Sequence, residues 1–318
     1  MMEGEHIRDW KINYNLRFRT LKIKGLENSV LLKVRNLKNI LKGEIKMKIF
    51  ISVDMEGITG VVHSDQVRPE KEEYKQAREL MVGDVNAAIE GALEAGAEEI
   101  IVNDSHNKMT NIILSQLNPI ARLISGDDKP LCMMQGVEGC DGTLLIGYHA
   151  KIGTLHAVLD HTYYGSMVNC VRLNGIEVGE PEINTVIAGH FNVPVIFLSG
   201  DETVCRDAKA FIGEHLETAI VKKAFGRAGA ECLHPEKSHQ LIKDGVKKAI
   251  SRLSSVKPFH INLPVTFEVK FFTTQMADQA SIYPFAERVN GRTVKVQGKT
   301  VLEGYQAFMS ILGLARIL

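Results

Sequence analysis

The sequence has neither an excess charge of one sign nor a long hydrophobic run. Lys plus Arg number 38 and Asp plus Glu also number 38, so the formal net charge is zero. This balance gives no sign of a surface that binds nucleic acid, and we expect no nucleic-acid partner. No apolar stretch reaches the roughly 18 residues that a membrane-spanning helix needs, so we expect no membrane partner either.

Several familiar site signatures are also missing. The sequence contains no HExxH, GxSxG, GxxxxGK[ST] or GxGxxG, so none of these templates explains its function. The cysteines are odd in number and form no CxxC pair: Cys132, Cys140, Cys170, Cys205 and Cys232. We therefore expect reduced thiols in a cytoplasmic protein, with no zinc knuckle.

The first 46 residues differ from the rest in charge. They carry 11 Lys or Arg against 5 Asp or Glu and contain no proline, and Met47 then opens the strand-like run MKIFISVD. We expect residues 1–46 to be a basic N-terminal extension, either a poorly ordered tail or the product of an upstream start of translation. The remaining length is enough for a sizeable core and two domains.

From Met47 onward, short β-branched runs alternate with segments of helical spacing. This alternation predicts an α/β fold with a mainly parallel sheet flanked by helices, over residues 47–210. Asn174-Gly175 lies between two alternating apolar runs and predicts a hairpin. After about residue 210 the pattern loosens, and we expect a smaller α+β domain over 211–318.

Acids and histidines follow three of the predicted strands. Asp54 and Glu56 end the first strand, His106 follows the second in NDSH, and His149 follows TLLIGY. Side chains at i and i+2 of a strand share a face, so the two carboxylates converge and repel unless a cation lies between them. Carboxylate and imidazole together suit Zn²⁺ and similar divalent metals.

Taken singly, these residues have ordinary explanations. An acid at a strand end is usually a turn former or a helix cap, and a histidine is usually a satisfied polar residue. Convergence at three strand ends favours a metal site instead. His161, in LDHTYYG, follows His149 closely enough to reach the same cleft, and Glu180 by itself is a first-turn helix acid.

The ordered blocks SVDMEGITG, VNDSHNKM, LISGDDKP, LLIGYHA and VGEPEINTVIAGHFNVPV resemble the DppA-like family of zinc-dependent D-aminopeptidases. The resemblance runs from Met47 to the C-terminal helix. It implies two Zn²⁺ per chain, with Asp54 bridging both metals. Glu56 and His106 would complete one metal site, and His149 and Glu180 the other.

The resemblance also implies that His161 is the catalytic nucleophile. The segment between His149 and His161 is one residue longer than the family pattern, which leaves His156 as an alternative. Physically, His161 could equally serve as a general base or acid.

The function that follows is a dinuclear zinc metallopeptidase that removes N-terminal residues from short peptides or amino-acid amides. Selectivity for D-residues rests on the resemblance alone. Two alternatives stay open at this point: another dinuclear metallohydrolase, such as an amidase or esterase, and a non-catalytic, metal-dependent peptide-binding protein. The resemblance further implies a homo-oligomer in the form of a ring.

Overall fold

The structure is a computed structural model that describes residues 46–316. The expected basic extension of residues 1–46 lies outside the described residues, except for its last residue. From residue 46 onward the chain forms one compact unit. Within the described part of the chain, no helix is long and apolar enough to cross a membrane.

The first sheet has seven strands in the order β3-β2-β1-β4-β7-β8-β9. Every neighbouring pair is parallel except β8 and β9, which are antiparallel. The predicted α/β fold with a mainly parallel sheet is therefore confirmed. Its strands are β1 Lys48–Val53, β2 Glu99–Asp104, β3 Ala121–Ile124, β4 Gly142–Tyr148, β7 Val195–Asp201, β8 Glu217–Gly226 and β9 Gly229–Cys232.

Within residues 46–316, six α-helices accompany the strands: α1 Glu73–Glu94, α2 Glu180–His190, α3 Glu202–Ile212, α4 Pro235–Ser251, α5 Thr274–Ala280 and α6 Val301–Ala315. The interior strand β1 is buried on both faces because alternate side chains enter different cores. Ile49 and Ile51 lie in one core with residues of α1 and α4. Phe50 lies in the other, which includes residues of α2 and of the second sheet.

The second sheet is antiparallel, with five strands in the order β11-β12-β10-β5-β6. These are β5 Val168–Leu173, β6 Ile176–Glu177, β10 Val265–Phe271, β11 Glu287–Asn290 and β12 Thr293–Gly298. The predicted hairpin is confirmed between β5 and β6. Asn174 and Gly175 both have positive φ, 49° and 85°, as a tight two-residue hairpin turn requires.

Two hairpins belong to the sheet on the other side of the expected boundary near residue 210. The β5–β6 hairpin precedes that residue yet belongs to the second sheet, whereas β8–β9 follows it and extends the first sheet. Strand pattern alone does not specify which sheet a hairpin joins, because that choice depends on packing between distant segments. Domains at 47–210 and 211–318 therefore stay a prediction, and the sheets do not divide there.

The ends of β1 and β4 touch at two glycines. The Gly57 amide donates a hydrogen bond to the Gly147 carbonyl at 2.8 Å. A Cβ at Gly57 would overlap the backbone of Gly147 and Tyr148. Gly147 has φ +70°, and a Cβ there would overlap the Asp54 carbonyl. This backbone contact brings the segment that carries Asp54 against the segment that leads to His149.

Replacing Gly57 with alanine should therefore lower the free energy of unfolding by about 1–3 kcal/mol, because the added methyl forces backbone apart. Gly313→Ala is the matched control, since nothing lies within 4 Å of its Cβ position on α6. The control should be neutral or stabilising by up to about 1 kcal/mol. Denaturant unfolding of both variants measures the difference, and equal stabilities would contradict the close-contact argument.

Candidate metal centre

The predicted acids and histidines meet beyond the carboxyl ends of three adjacent strands. In the sheet order β2-β1-β4, His106 follows β2, Asp54 and Glu56 follow β1, and His149 follows β4. Parallel neighbours bring their carboxyl ends to one edge, where open α/β sheets bind ligands. All four residues are buried, with at most 7% of their surface exposed.

Asp54 lies at the middle of this group, and its two carboxylate oxygens face different histidines. Oδ1 lies 3.3 Å from His106 Nδ1, and Oδ2 lies 3.3 Å from His149 Nε2. The Met55 amide donates to Oδ1 at 2.8 Å, which helps to hold the carboxylate in this orientation. The Asp54 carboxylate is thus shared between His106 and His149, with one oxygen facing each ring.

Two sides of the group can be defined around Asp54. The His106 side consists of Asp54, Glu56 and His106, with Glu56 Oε2 3.0 Å from His106 Nδ1. The His149 side consists of Asp54, His149 and Glu180, with Glu180 Oε2 3.2 Å from His149 Nε2. Each side therefore offers two carboxylates and one imidazole.

Glu180 reaches the His149 side from the first residue of α2. Its Oε1 accepts a hydrogen bond of 2.6 Å from the Tyr163 amide, which ties it to the loop after His161. From sequence it is only a first-turn acid, and a hairpin of the second sheet separates it from the strand ends. The family resemblance therefore predicted Glu180 as a member of the group, whereas the pattern of polar residues at strand ends did not.

His161 joins the group, and the alternative His156 does not. The His161 ring stacks on that of His149, with centroids 4.0 Å apart and planes within 12°. Ligand atoms of His149, His161 and Glu180 all lie within 4.8 Å of one another. His156 is exposed, and its Nδ1 lies 3.2 Å from the Phe225 carbonyl on β8.

Each of the three histidines places one ring nitrogen against a backbone carbonyl. A carbonyl oxygen only accepts, so that nitrogen carries the proton and the other nitrogen of a neutral ring offers a lone pair. Such outer contacts orient histidines that bind metals. The contacts are His106 Nε2 to Val67 O at 2.9 Å, His149 Nδ1 to Ala150 O at 3.0 Å, and His161 Nδ1 to Leu159 O at 2.8 Å.

Three buried polar atoms of the group face only other members of the group. They are Asp54 Oδ2, Glu56 Oε2 and His149 Nε2, which lack a well-formed hydrogen bond although each has a polar neighbour at 3.0–3.3 Å. Buried polar atoms are almost always paired, so potential ligand atoms that face one another without such a bond need an explanation. The donor atoms of Asp54, Glu56 and His149 lie within 4.8 Å of one another. Carboxylate oxygens and imidazole nitrogens at this spacing fit a divalent cation.

The charges explain what holds the group together without a cation. Burial opposes a charged His106, but the charge of Glu56 and the nearby Asp54 raise the pKa of His106 well above its usual value. Burial likewise opposes a charged His149, and Glu180 with Asp54 raises its pKa. Conversely, burial would raise the pKa of Glu56, but His106 lowers it well below its usual value. Protons on the two imidazole rings would therefore balance the carboxylate charges, a role that bound cations could also fill.

Asp201 positions the His161 loop and also caps a helix. Its Oδ1 accepts from the Val204 amide at 2.9 Å, which caps α3. Its Oδ2 accepts from the Val158 amide at 2.8 Å, three residues before His161. The second bond joins segments 43 residues apart, so local sequence carries no signal for it.

Comparison with known proteins places this site in a family. The model of the peptidase M55 family, described as D-aminopeptidase, matches residues 47–310. The chain belongs to the D-aminopeptidase family. Members of this family are hydrolases that act on peptide bonds, as the resemblance in the sequence implied.

A relative known by its sequence and a solved structure illustrate the similarity. A D-aminopeptidase of Bacillus subtilis (strain 168) is 36% identical over 274 residues, which cover 85% of this chain and 98% of the relative. A solved structure, described as Zn-dependent D-aminopeptidase DppA from Bacillus subtilis, a self-compartmentalizing protease, superimposes with a TM-score of 0.82 at 35% identity. That match covers 85% of this chain and 99% of the other, so it supports the whole described architecture.

Binding of Zn²⁺ to this member of the D-aminopeptidase family should release protons at pH 7. The raised pKa values of His106 and His149 keep both rings protonated in the metal-free protein, and a ring must lose its proton to become a ligand. The apparent affinity should therefore fall as the pH is lowered. For each proton that the metal displaces, the apparent affinity for Zn²⁺ should fall about tenfold when the pH is lowered by one unit.

Calorimetric titration in two buffers of different ionisation enthalpy measures the proton count. An observed binding enthalpy that does not change between the buffers would mean that no net proton leaves. That result would contradict the charge assignment of the metal-free group.

Proposed function

We propose that the chain is a dinuclear zinc D-aminopeptidase with two Zn²⁺ per chain. The observation that carries the proposal is the orientation of Asp54, whose Oδ1 faces His106 and whose Oδ2 faces His149. A carboxylate between two sets of donors is suited to bridge two metals. Zinc itself is inferred from the donor types and from the Zn-dependent relative.

The ligands would divide as the two sides do. Glu56 and His106 would complete one zinc site, and His149 and Glu180 the other, with Asp54 shared. When bound, a pair of divalent cations polarises the scissile carbonyl, holds the free amine of the substrate and lowers the pKa of a water toward 7. The burial of the ligands keeps bulk water from competing for these positions.

His161 is the proposed catalytic residue. Its Nδ1 is held by the Leu159 carbonyl, so its Nε2 is the nitrogen free to attack or to accept a proton. The ring is partly exposed, unlike His149, on which it stacks. It can therefore meet a substrate while its orientation is fixed by the stack.

The proposed substrates are short peptides and amino-acid amides with an N-terminal D-residue. We also propose a ring-shaped homo-oligomer, because the DppA structure is described as self-compartmentalizing. Large exposed apolar side chains offer surface for such an assembly, among them Leu155 (77% exposed), Phe225 (68%) and Phe285 (80%). The cytoplasmic location stays a prediction from the five cysteines, all of which are free.

Removing individual acids should change the metal content in different ways. Asp54→Ala should lose both zinc ions because it removes the shared ligand, whereas Glu56→Ala should weaken only the zinc on the His106 side. Metal analysis after dialysis gives the zinc count per chain. Glu70→Ala, an exposed acid, is the control and should keep two. If Asp54→Ala retained two zinc ions, the bridging role would be wrong.

Changing His161 should separate metal binding from turnover. His161→Ala should keep two zinc ions but lose about 100- to 10,000-fold in kcat, the usual contribution of a positioned acid or base. His156→Ala is the matched control and should keep normal turnover, because its exposed ring bonds β8 outside the group. Near-normal kcat in His161→Ala would refute the assignment.

A substrate panel tests the function itself. Purified protein, stripped with a chelator and then reloaded with Zn²⁺, is assayed on D- and L-aminoacyl amides, dipeptides, esters and phosphoesters. We expect release of N-terminal D-residues that is lost on stripping and restored by Zn²⁺. Preference for esters or phosphoesters would indicate a different metallohydrolase. Tight peptide binding without turnover would indicate a binding protein and contradict the proposal.

A further inference from the structure

A lysine is buried beneath the loop that carries Glu56. Lys222 lies on β8 with 2% of its surface exposed. Its Nζ donates to the carbonyl oxygens of Glu56, at 2.6 Å, and of Ile58, at 2.9 Å. A third bond reaches the Val61 carbonyl. All three ammonium protons are thus used on one short loop, Glu56–Val61.

Burying an ammonium group is costly unless it is well paired. Within residues 46–316, no carboxylate lies within salt-bridge distance of Lys222 Nζ. The three carbonyl dipoles of the loop therefore supply the close compensation. An interaction of this kind orders the backbone that it contacts, because each carbonyl must point at one fixed nitrogen.

A buried acid, whose charge is opposite to that of Lys222, also binds this loop. Asp84 on α1 is fully buried and accepts bonds from both the amide and the hydroxyl of Thr59, each at 2.9 Å. The loop thus offers carbonyls to a cation on β8 and donors to an anion on α1. Neither Lys222 nor Asp84 belongs to the proposed ligand set.

The contacts of Lys222 favour one side of the metal group. It bonds the carbonyl of Glu56 itself, and the Glu56 carboxylate lies 3.0 Å from His106 Nδ1. The side chains of the His149 side beyond Asp54 come from the end of β4 and the start of α2. Neither of those segments receives a bond from Lys222 Nζ.

We infer that Lys222 is a positioning residue that fixes the Glu56–Val61 loop so that the Glu56 carboxylate completes the metal position on the His106 side. This inference rests on the proposed dinuclear site. It deepens that proposal by naming a residue that touches neither metal nor substrate. A residue that only stabilised the fold would affect both metal positions alike, and this distinction makes the inference testable.

The test compares Lys222→Met with Lys223→Met. Methionine keeps an unbranched chain out to Cε but lacks the ammonium group, and Lys223 is the exposed neighbour on the same strand. Zinc affinities are measured by competition with a chromogenic chelator, and the thermal stability of each metal-free protein is recorded. Lys222→Met should weaken one of the two sites about 10- to 100-fold, the usual loss for an outer contact of a metal ligand. Lys223→Met should match wild type.

The double variant Glu56→Ala with Lys222→Met identifies the affected site. If Lys222 acts through Glu56, the double variant should bind zinc at both sites as tightly as Glu56→Ala alone. An additional loss of more than about tenfold at either site would overturn the inference. So would equal weakening of both sites in Lys222→Met, or wild-type affinity at both.

Lys222→Gln covers the case in which the methionine variant does not fold. Its amide keeps a donor without the charge, so we expect a smaller loss at the same single site. Failure of both variants to fold would make Lys222 a residue of the fold and overturn the inference. Wild-type protein that binds fewer than two zinc ions would instead refute the dinuclear proposal, so the two failures are distinguishable.

Discussion

The structure depends on the burial of three carboxylates in one small space. Asp54, Glu56 and Glu180 are each at most 4% exposed and lie around two buried imidazoles. Like charges so close in a low-dielectric interior repel strongly unless positive charge lies between them, and burial together with Glu56 raises the pKa of Asp54. The buried carboxylates raise the pKa values of His106 and His149, which favours positively charged rings, and cations would supply positive charge in the proposed enzyme. The repulsion among these three buried carboxylates is the reason to expect a bound metal.

The fold meets this constraint by holding the segments that carry the ligands with close backbone contacts. Four of the proposed ligands follow the adjacent strands β2, β1 and β4, and the fifth, Glu180, is the first residue of α2. The Gly57–Gly147 contact leaves no space between the segments that follow β1 and β4. Backbone carbonyls orient the histidines, and Asp201 anchors the loop that leads to His161. Sites held by such outer contacts need little rearrangement when a ligand binds. Geometry and charge therefore support the same proposal.

Much of this arrangement could be predicted from sequence, because it follows from local patterns. Strand periodicity placed Asp54 and Glu56 on one side, and the parallel strand order brought His106 and His149 to the same edge. Glu180 could be assigned only by family resemblance, since it arrives from a helix beyond a hairpin of another sheet. Lys222 lay beyond local reasoning altogether, because its partners are more than 160 residues away. Such contacts depend on packing between distant segments, which the local pattern of apolar and polar residues does not reveal.

The central claim is that Asp54 lies between two metal ions. X-ray diffraction from zinc-loaded crystals, with anomalous data collected above and below the zinc edge, tests it most directly. The account predicts two anomalous peaks per chain, roughly 3.5–4 Å apart, one beside each Asp54 oxygen. Glu56 and His106 should then contact one peak, and His149 and Glu180 the other. A single peak per chain, or two peaks of which only one contacts Asp54, would contradict it.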